Sequence, residues 1–107
     1  MTKIEAQTII NANEAENKKI QAYNDLQNEG GDGYEVDHNF DGFEAVKAAG
    51  YAVYEGKVFD RADFEALREK WNGACIALKG QKVNIDMIAN KSGVNAMMLQ
   101  CLKTAFV

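Results

Sequence analysis

A mainly α-helical fold with one small β-hairpin is predicted by three observations. The chain has no proline, the residue that most strongly interrupts helices. Three stretches carry helix-start signals followed by apolar residues at helical spacing, and only Tyr51–Phe59 is dense in β-branched and aromatic residues about a short turn. Hydrophobic residues make up 47% of the 107 and charged residues 26%, the proportions of a folded globular protein. That length implies a single domain, divided into a long helix over 3–28, an acidic loop, short helix and hairpin over 29–59, and a helical unit over 60–107.

The elements follow in order. Thr2 and Glu5 form a capping-box pair, and no glycine follows until Gly30, so one helix covers 3–28. Ile4, Ile9, Ala12, Ala15, Ile20, Ala22, Tyr23 and Leu26 fall within about half its circumference at 100° per residue. The small residues at 12, 15 and 22 admit close approach of another helix, within the chain or in a homodimer through residues 3–28. Glycines 30, 31 and 33 end this helix, with a left-handed C-cap expected among them. An acidic segment then leads into a short helix over about 43–49, with Gly50 as its stop.

Tyr51–Tyr54 and Lys57–Phe59, joined by Glu55-Gly56, read as a hairpin, and an isolated hairpin needs a helix or another sheet to lie against. Asp60 caps the next helix, whose Phe64, Leu67, Trp71, Ala74 and Leu78 form a core stripe. Gly73 weakens its last part and Gly80 ends it. Asn84 and Asn95 stand where two further N-caps are needed. The ten asparagines otherwise gather at helix ends and on the first helix.

The most patterned stretch is Ile85–Lys103. Ala89 is followed four residues later by Gly93, then Val94, with Leu99 and Leu102 six and nine residues beyond the glycine. This spacing resembles the helix-turn-helix of phage repressors, over residues 85–103 only. The resemblance implies that Ile88 and Ala89 face inward, that Gly93 takes the left-handed turn conformation, and that Val94, Leu99 and Leu102 share a core completed by the 60–78 helix. It further implies an exposed recognition face of Asn95, Ala96, Met97, Gln100, Cys101 and Thr104. Asn95 and Gln100 would read adenine, and Lys91 and Lys103 would lie near phosphates. The departures from that family are the lack of arginine after Arg68, Asp86 at the start of the first helix, and Met97 and Cys101 on the DNA face.

Charge divides the same way. Net charge is −4, against broad nucleic-acid binding, but residues 79–107 carry four lysines and one aspartate, net +3, leaving −7 on residues 1–78. Two expectations follow. One is a small regulatory protein, plausible in a phage, that binds DNA through Lys91, Asn95, Ala96, Gln100, Lys103 and Thr104. The alternative is an acidic inhibitor or adaptor that binds a host protein through Met97 and Met98 or through Asp32, Glu35, Asp37 and Asp41. In size and acidity the chain is similar to phage-encoded anti-defence proteins, anti-CRISPR proteins among them. Such a protein would block a basic nucleic-acid channel with carboxylates from residues 29–44, or mask a partner's surface with a helix.

Other chemistry finds little footing. Asp37–Gly42 resembles the first half of an EF-hand calcium loop, but Ala48 stands where the bidentate glutamate belongs, so an acidic loop with Asp41 capping the next helix is expected. His38 is the only histidine and has no zinc-ligand partner in sequence. No nucleophile elbow, phosphate-binding glycine loop or Cys/His pair is present, so no enzyme activity, cofactor or metal is expected. Cys75 and Cys101 lie 26 residues apart and are expected to be free thiols. Without an apolar run near about 18 residues or a signal-peptide core, a cytoplasmic protein with no membrane partner is expected.

Overall fold

The structure is a computed structural model that describes residues 1–31 and 33–107. It is mainly helical with one two-stranded hairpin: α1 (Lys3–Gly30), α2 (Asp41–Ala48), β1 (Ala52–Tyr54), β2 (Lys57–Phe59), α3 (Arg61–Ala77), α4 (Ile85–Ser92) and α5 (Ala96–Phe106). The chain divides into two compact units, Met1–Val58 and Phe59–Val107. Among the described residues no helix is long and apolar enough to cross a membrane.

In the first unit α1 begins as predicted. The Thr2 hydroxyl accepts from the Glu5 amide while the Glu5 carboxylate accepts from the Thr2 amide. It ends at Gly31, which is extended at φ −88°, so the expected left-handed C-cap does not form there. The larger correction concerns its buried face. Ala6, Ile10, Asn13 and Asn24 are buried, with Asn17, Ile20 and Gln27 half-buried between and beyond them. These positions step by four and three along one stripe. Ile4, Ala12, Ala15, Tyr23 and Leu26 of the expected apolar arc are exposed instead, on nearly the opposite side of the helix.

The apolar part of this face is small. Ala6 and Ile10 meet Val46 of α2 and Val58 of β2, with Ile9, Phe43, Tyr51 and Val53 around them. The hairpin turns through Glu55 (φ 48°) and Gly56 (φ 77°), both left-handed, as a two-residue turn of the primed kind requires. Its support comes from α1. The Gln7 amide donates to the Gly56 carbonyl at 2.7 Å and accepts from the Val58 N–H at 2.9 Å.

The second unit is three helices. Asp60 and Asp63 form the capping box of α3, and α4 and α5 each pack on α3. Asn84 caps α4 by accepting from the Met87 amide. Gly93 ends that helix in the left-handed region at φ 71°, and Asn95 caps α5. Buried here are Phe59 at the end of β2, Phe64 and Ala74 of α3, Val94 of the turn, and Leu102 and Phe106 of α5. Leu67, Trp71 and Leu78 of the predicted α3 stripe are half-buried, as are Ile88, Ala89 and Leu99. Arg68, Phe64, Phe106 and Arg61 form a layered stack. The two rings lie 5.7 Å apart, and the guanidinium groups stand 5.3 Å from Phe64 and 5.8 Å from Phe106.

Candidate interaction surfaces

The first surface is a strap, residues 33–40, which joins no strand and instead runs along α1. Its main chain is held by asparagine side chains. Asn24 donates to the Val36 carbonyl and accepts from the Val36 N–H, at 2.9 and 2.8 Å. Asn17 makes the same pair with Asn39, at 2.8 Å each. Asn13 donates to the Asn39 carbonyl at 2.7 Å and accepts from the Gly42 N–H at 2.8 Å.

From Asn24 back to Asn17 is seven residues of helix, about 10 Å, which the strap covers between Val36 and Asn39 in three residues, so it must be extended and antiparallel to α1. A primary amide offers both a donor and an acceptor, and so can pair with a main chain as a neighbouring strand would. Asn13 also closes the N-terminus of α2, together with the Asn39 side chain, which accepts from the Asp41 N–H at 2.9 Å. The expected cap at Asp41 is thereby replaced, since Asp41 is itself the first helical residue and the N-cap, Phe40, makes no side-chain cap bond. Gly42 is needed for this approach: a Cβ there would stand 2.7 Å from the Asn13 oxygen.

With its main chain bound, the strap leaves most of its side chains exposed. Tyr34 is 70% and Phe40 57% exposed, and Glu35, Asp37, His38 and Asp41 are exposed with them. Glu35 accepts from the Asn28 amide at 2.6 Å. Asp32, expected to act with these carboxylates, lies outside the described residues. Among the described residues no three His, Cys, Asp or Glu side chains are grouped as a metal site would need. Asn39 spends all four of its polar groups, the last by donating to Glu16 at 3.3 Å.

The second surface belongs to the second unit. Asn95 is exposed, but its side-chain oxygen accepts from the Met97 and Met98 amides at 2.9 and 3.1 Å. Bidentate reading of adenine needs that oxygen as well as the amide nitrogen, so the cap and the expected reader compete for one atom. The rest of the expected recognition face divides. Ala96, Gln100 and Lys103 line a groove with Leu99, Ile85 of α4 and Phe64, Arg68, Trp71 and Asn72 of α3, enclosing about 330 Å³.

Met97, Cys101 and Thr104 lie toward the other flank of α5, all exposed, with Met97 at 72%. The Thr104 hydroxyl donates to the Gln100 carbonyl at 3.1 Å. Met98, beside Met97 in sequence, is half-buried. Lys91 is exposed in the last turn of α4. Cys75 and Cys101 are both unbonded and exposed.

Sequence reasoning missed both the strap and the groove wall. The signal for the first was present, since Asn13, Asn17 and Asn24 share the heptad stripe of Ile10 and Ile20. For the second, Trp71 fits the core stripe of α3 by spacing, and only the placement of α5 shows that it borders an opening. No family model matches the chain, and neither the curated proteins nor the solved structures contain a match to it.

Proposed function

We propose that this is a small non-enzymatic binding protein, an inhibitor or adaptor, whose strap engages a positively charged surface of a partner protein. One observation carries the reading: three asparagines fix the strap main chain while Tyr34, Glu35, Asp37, His38, Phe40 and Asp41 remain exposed. A segment already ordered loses little conformational entropy on binding, and aromatic anchors among charges are the composition of interface hot spots. Charge supports the same direction. The first unit carries eleven acidic and five basic groups, a net −6, which would steer it toward a basic surface such as a nucleic-acid channel. Occlusion of such a channel is the mechanism that a likeness in size and acidity to anti-defence inhibitors would imply.

Affinity capture from a host lysate tests this, comparing the protein with its Tyr34→Ala/Phe40→Ala variant. A discrete protein retained by the first, lost with the second and released by salt is the expected outcome. Recovery of the same material by both would reject it.

A second reading keeps the C-terminal unit as a DNA-binding helix-turn-helix. It is favoured by the left-handed Gly93 between two asparagine-capped helices, over buried Val94 and Leu102. In this reading Lys91, Gln100, Lys103 and Thr104 are the DNA contacts, and the exposed Ile4, Ala12, Ala15 and Leu26 of α1 pair two copies as a homodimer. Mobility shift on duplex DNA at low salt tests the contacts, with binding weakened by Gln100→Ala and Lys103→Ala. Light scattering tests the dimer, and absence of any duplex binding at low salt would remove the reading.

A further inference from the structure

The groove between α3 and α5 combines an apolar floor with cationic edges, and neither part serves a helix cap. Phe64 and Leu99 lie at its base, Trp71 is half-buried at its side, and Ile85 is 61% exposed at one end. Arg68 stands on the α3 wall and Lys103 on the α5 wall, with Asn72 and Gln100 as neutral polar groups. The Arg68 guanidinium is positioned by its place over the Phe64 ring, 5.3 Å from the centroid. Glu65 and Glu69 share an adjoining depression with Arg68 and Asn72 and do not themselves line the groove. The second unit as a whole carries seven basic and five acidic groups, opposite in sign to the first.

We infer that this groove is a docking site for an acidic amphipathic helix of a partner protein, which places one or two large apolar side chains between Trp71 and Leu99 and its carboxylates against Arg68 and Lys103. Charge complementarity selects this occupant. A basic helix would bring like charges to both walls, and a neutral apolar one would leave two cations partly desolvated without partners. Duplex DNA is the poorer fit, because a phosphate backbone has no apolar side chain to cover Trp71, Leu99 and Ile85. The site shares no residue with the strap and does not depend on the strap's role.

Trp71 is the only tryptophan in the chain, so its emission reports on the groove directly. The probes are three synthetic helical peptides of about four turns, long enough to hold helical structure on binding. One carries leucines at i, i+4 and i+7 flanked by glutamates, one has lysines in place of the glutamates, and one keeps the glutamates but has serines for the leucines. A duplex oligonucleotide is the fourth probe.

The glutamate–leucine peptide is expected to blue-shift Trp71 emission in a saturable manner and to perturb the amide resonances of residues 96–103, whereas the other three probes are not. Lys103→Glu, on an exposed position, is expected to weaken that peptide at least ~10-fold and to create binding of the lysine peptide. Tyr34→Ala/Phe40→Ala is expected to leave both responses unchanged, which separates this site from the strap. The inference is overturned if the glutamate–leucine peptide gives no shift, if both charge forms bind alike, or if the duplex gives the response instead.

Discussion

Each of the two units of this chain has its own internal means of cohesion. In the first, the buried stripe of α1 mixes apolar with amide side chains, and the amides at 7, 13, 17 and 24 bond the main chain of the hairpin and strap. In the second, polar side chains mostly close helix ends, and adhesion comes from Phe64, Ala74, Val94, Leu102 and Phe106. Apolar burial is indifferent to direction, whereas a paired donor and acceptor fix one main-chain register. The first arrangement therefore suits a displayed segment, and the second suits helices that leave a groove between them.

The largest effect should come from truncating the apolar unit. Leu102, with no exposed surface, is expected to cost roughly 2–5 kcal/mol on change to Ala, because the cavity adds to the lost transfer energy. Chemical denaturation monitored at Trp71 measures it directly. A loss below about 1 kcal/mol would mean that the second unit does not rest on apolar packing. For the first unit the decisive change is Asn13→Ala. It removes the partner of the Gly42 N–H and one of two donors to the Asn39 carbonyl, at an expected cost of about 2–3 kcal/mol.

Asn13→Asp sharpens that test, since it keeps the acceptor for Gly42 but sets a second oxygen against the Asn39 carbonyl. Its cost should be at least as large as that of Asn13→Ala, and the amides of Asn39 and Gly42 should exchange faster in both variants. Were Asn13→Asp neutral, the amide would be a spacer and not a two-way bond.

How far the sequence disclosed this difference depends on which signal each unit uses. Phe64 to Leu78 and Ala89 to Leu102 follow apolar periodicity, and those helices, with caps at Asp60, Asn84 and Asn95, form as expected. The α1 stripe defeats the same procedure because half of it is polar. Counting only apolar residues moved the predicted face to Ile4, Ala12, Ala15 and Leu26, which solvent covers. Asparagine on a long helix is poor helix-forming material, and its recurrence at 13, 17 and 24 is explained only by something it binds. That partner is 12 to 29 residues away in sequence, so spacing alone could not name it. The hairpin was legible because its turn is local, while its attachment through Gln7 spans about fifty residues and was not.

Asn95→Ala probes where the two units are alike, since there an asparagine again bonds main-chain groups. Here it closes only a helix end, so the expected loss is about 1 kcal/mol, less than for Asn13. Thermal unfolding of the two variants side by side ranks them, and reversal of the order would show that the strap bonds contribute no more than an ordinary cap. The same variant bears on the DNA reading. A base reader would lose duplex affinity on this change, whereas a cap alone would lose stability with affinity retained by the folded fraction.

The smallest effect should be of opposite sign. Gly73 lies inside α3, which continues unbroken to Ala77, and a Cβ at this position would meet nothing within 4 Å. Alanine restricts the unfolded chain more than glycine does, and Gly73 has no positive φ to protect, so Gly73→Ala should stabilise the protein by about 0.5–1 kcal/mol. Because the gain comes from the unfolded state, peptide binding in the groove and strap behaviour should not change, although Trp71 and Asn72 are its near neighbours. A rise in stability with weaker groove binding would mean that the helix bends at Gly73 when the groove is filled. The floor formed by α3 would then be mobile, and the contrast between a fixed strap and a packed helical unit would have to be redrawn with the flexibility on the helical side.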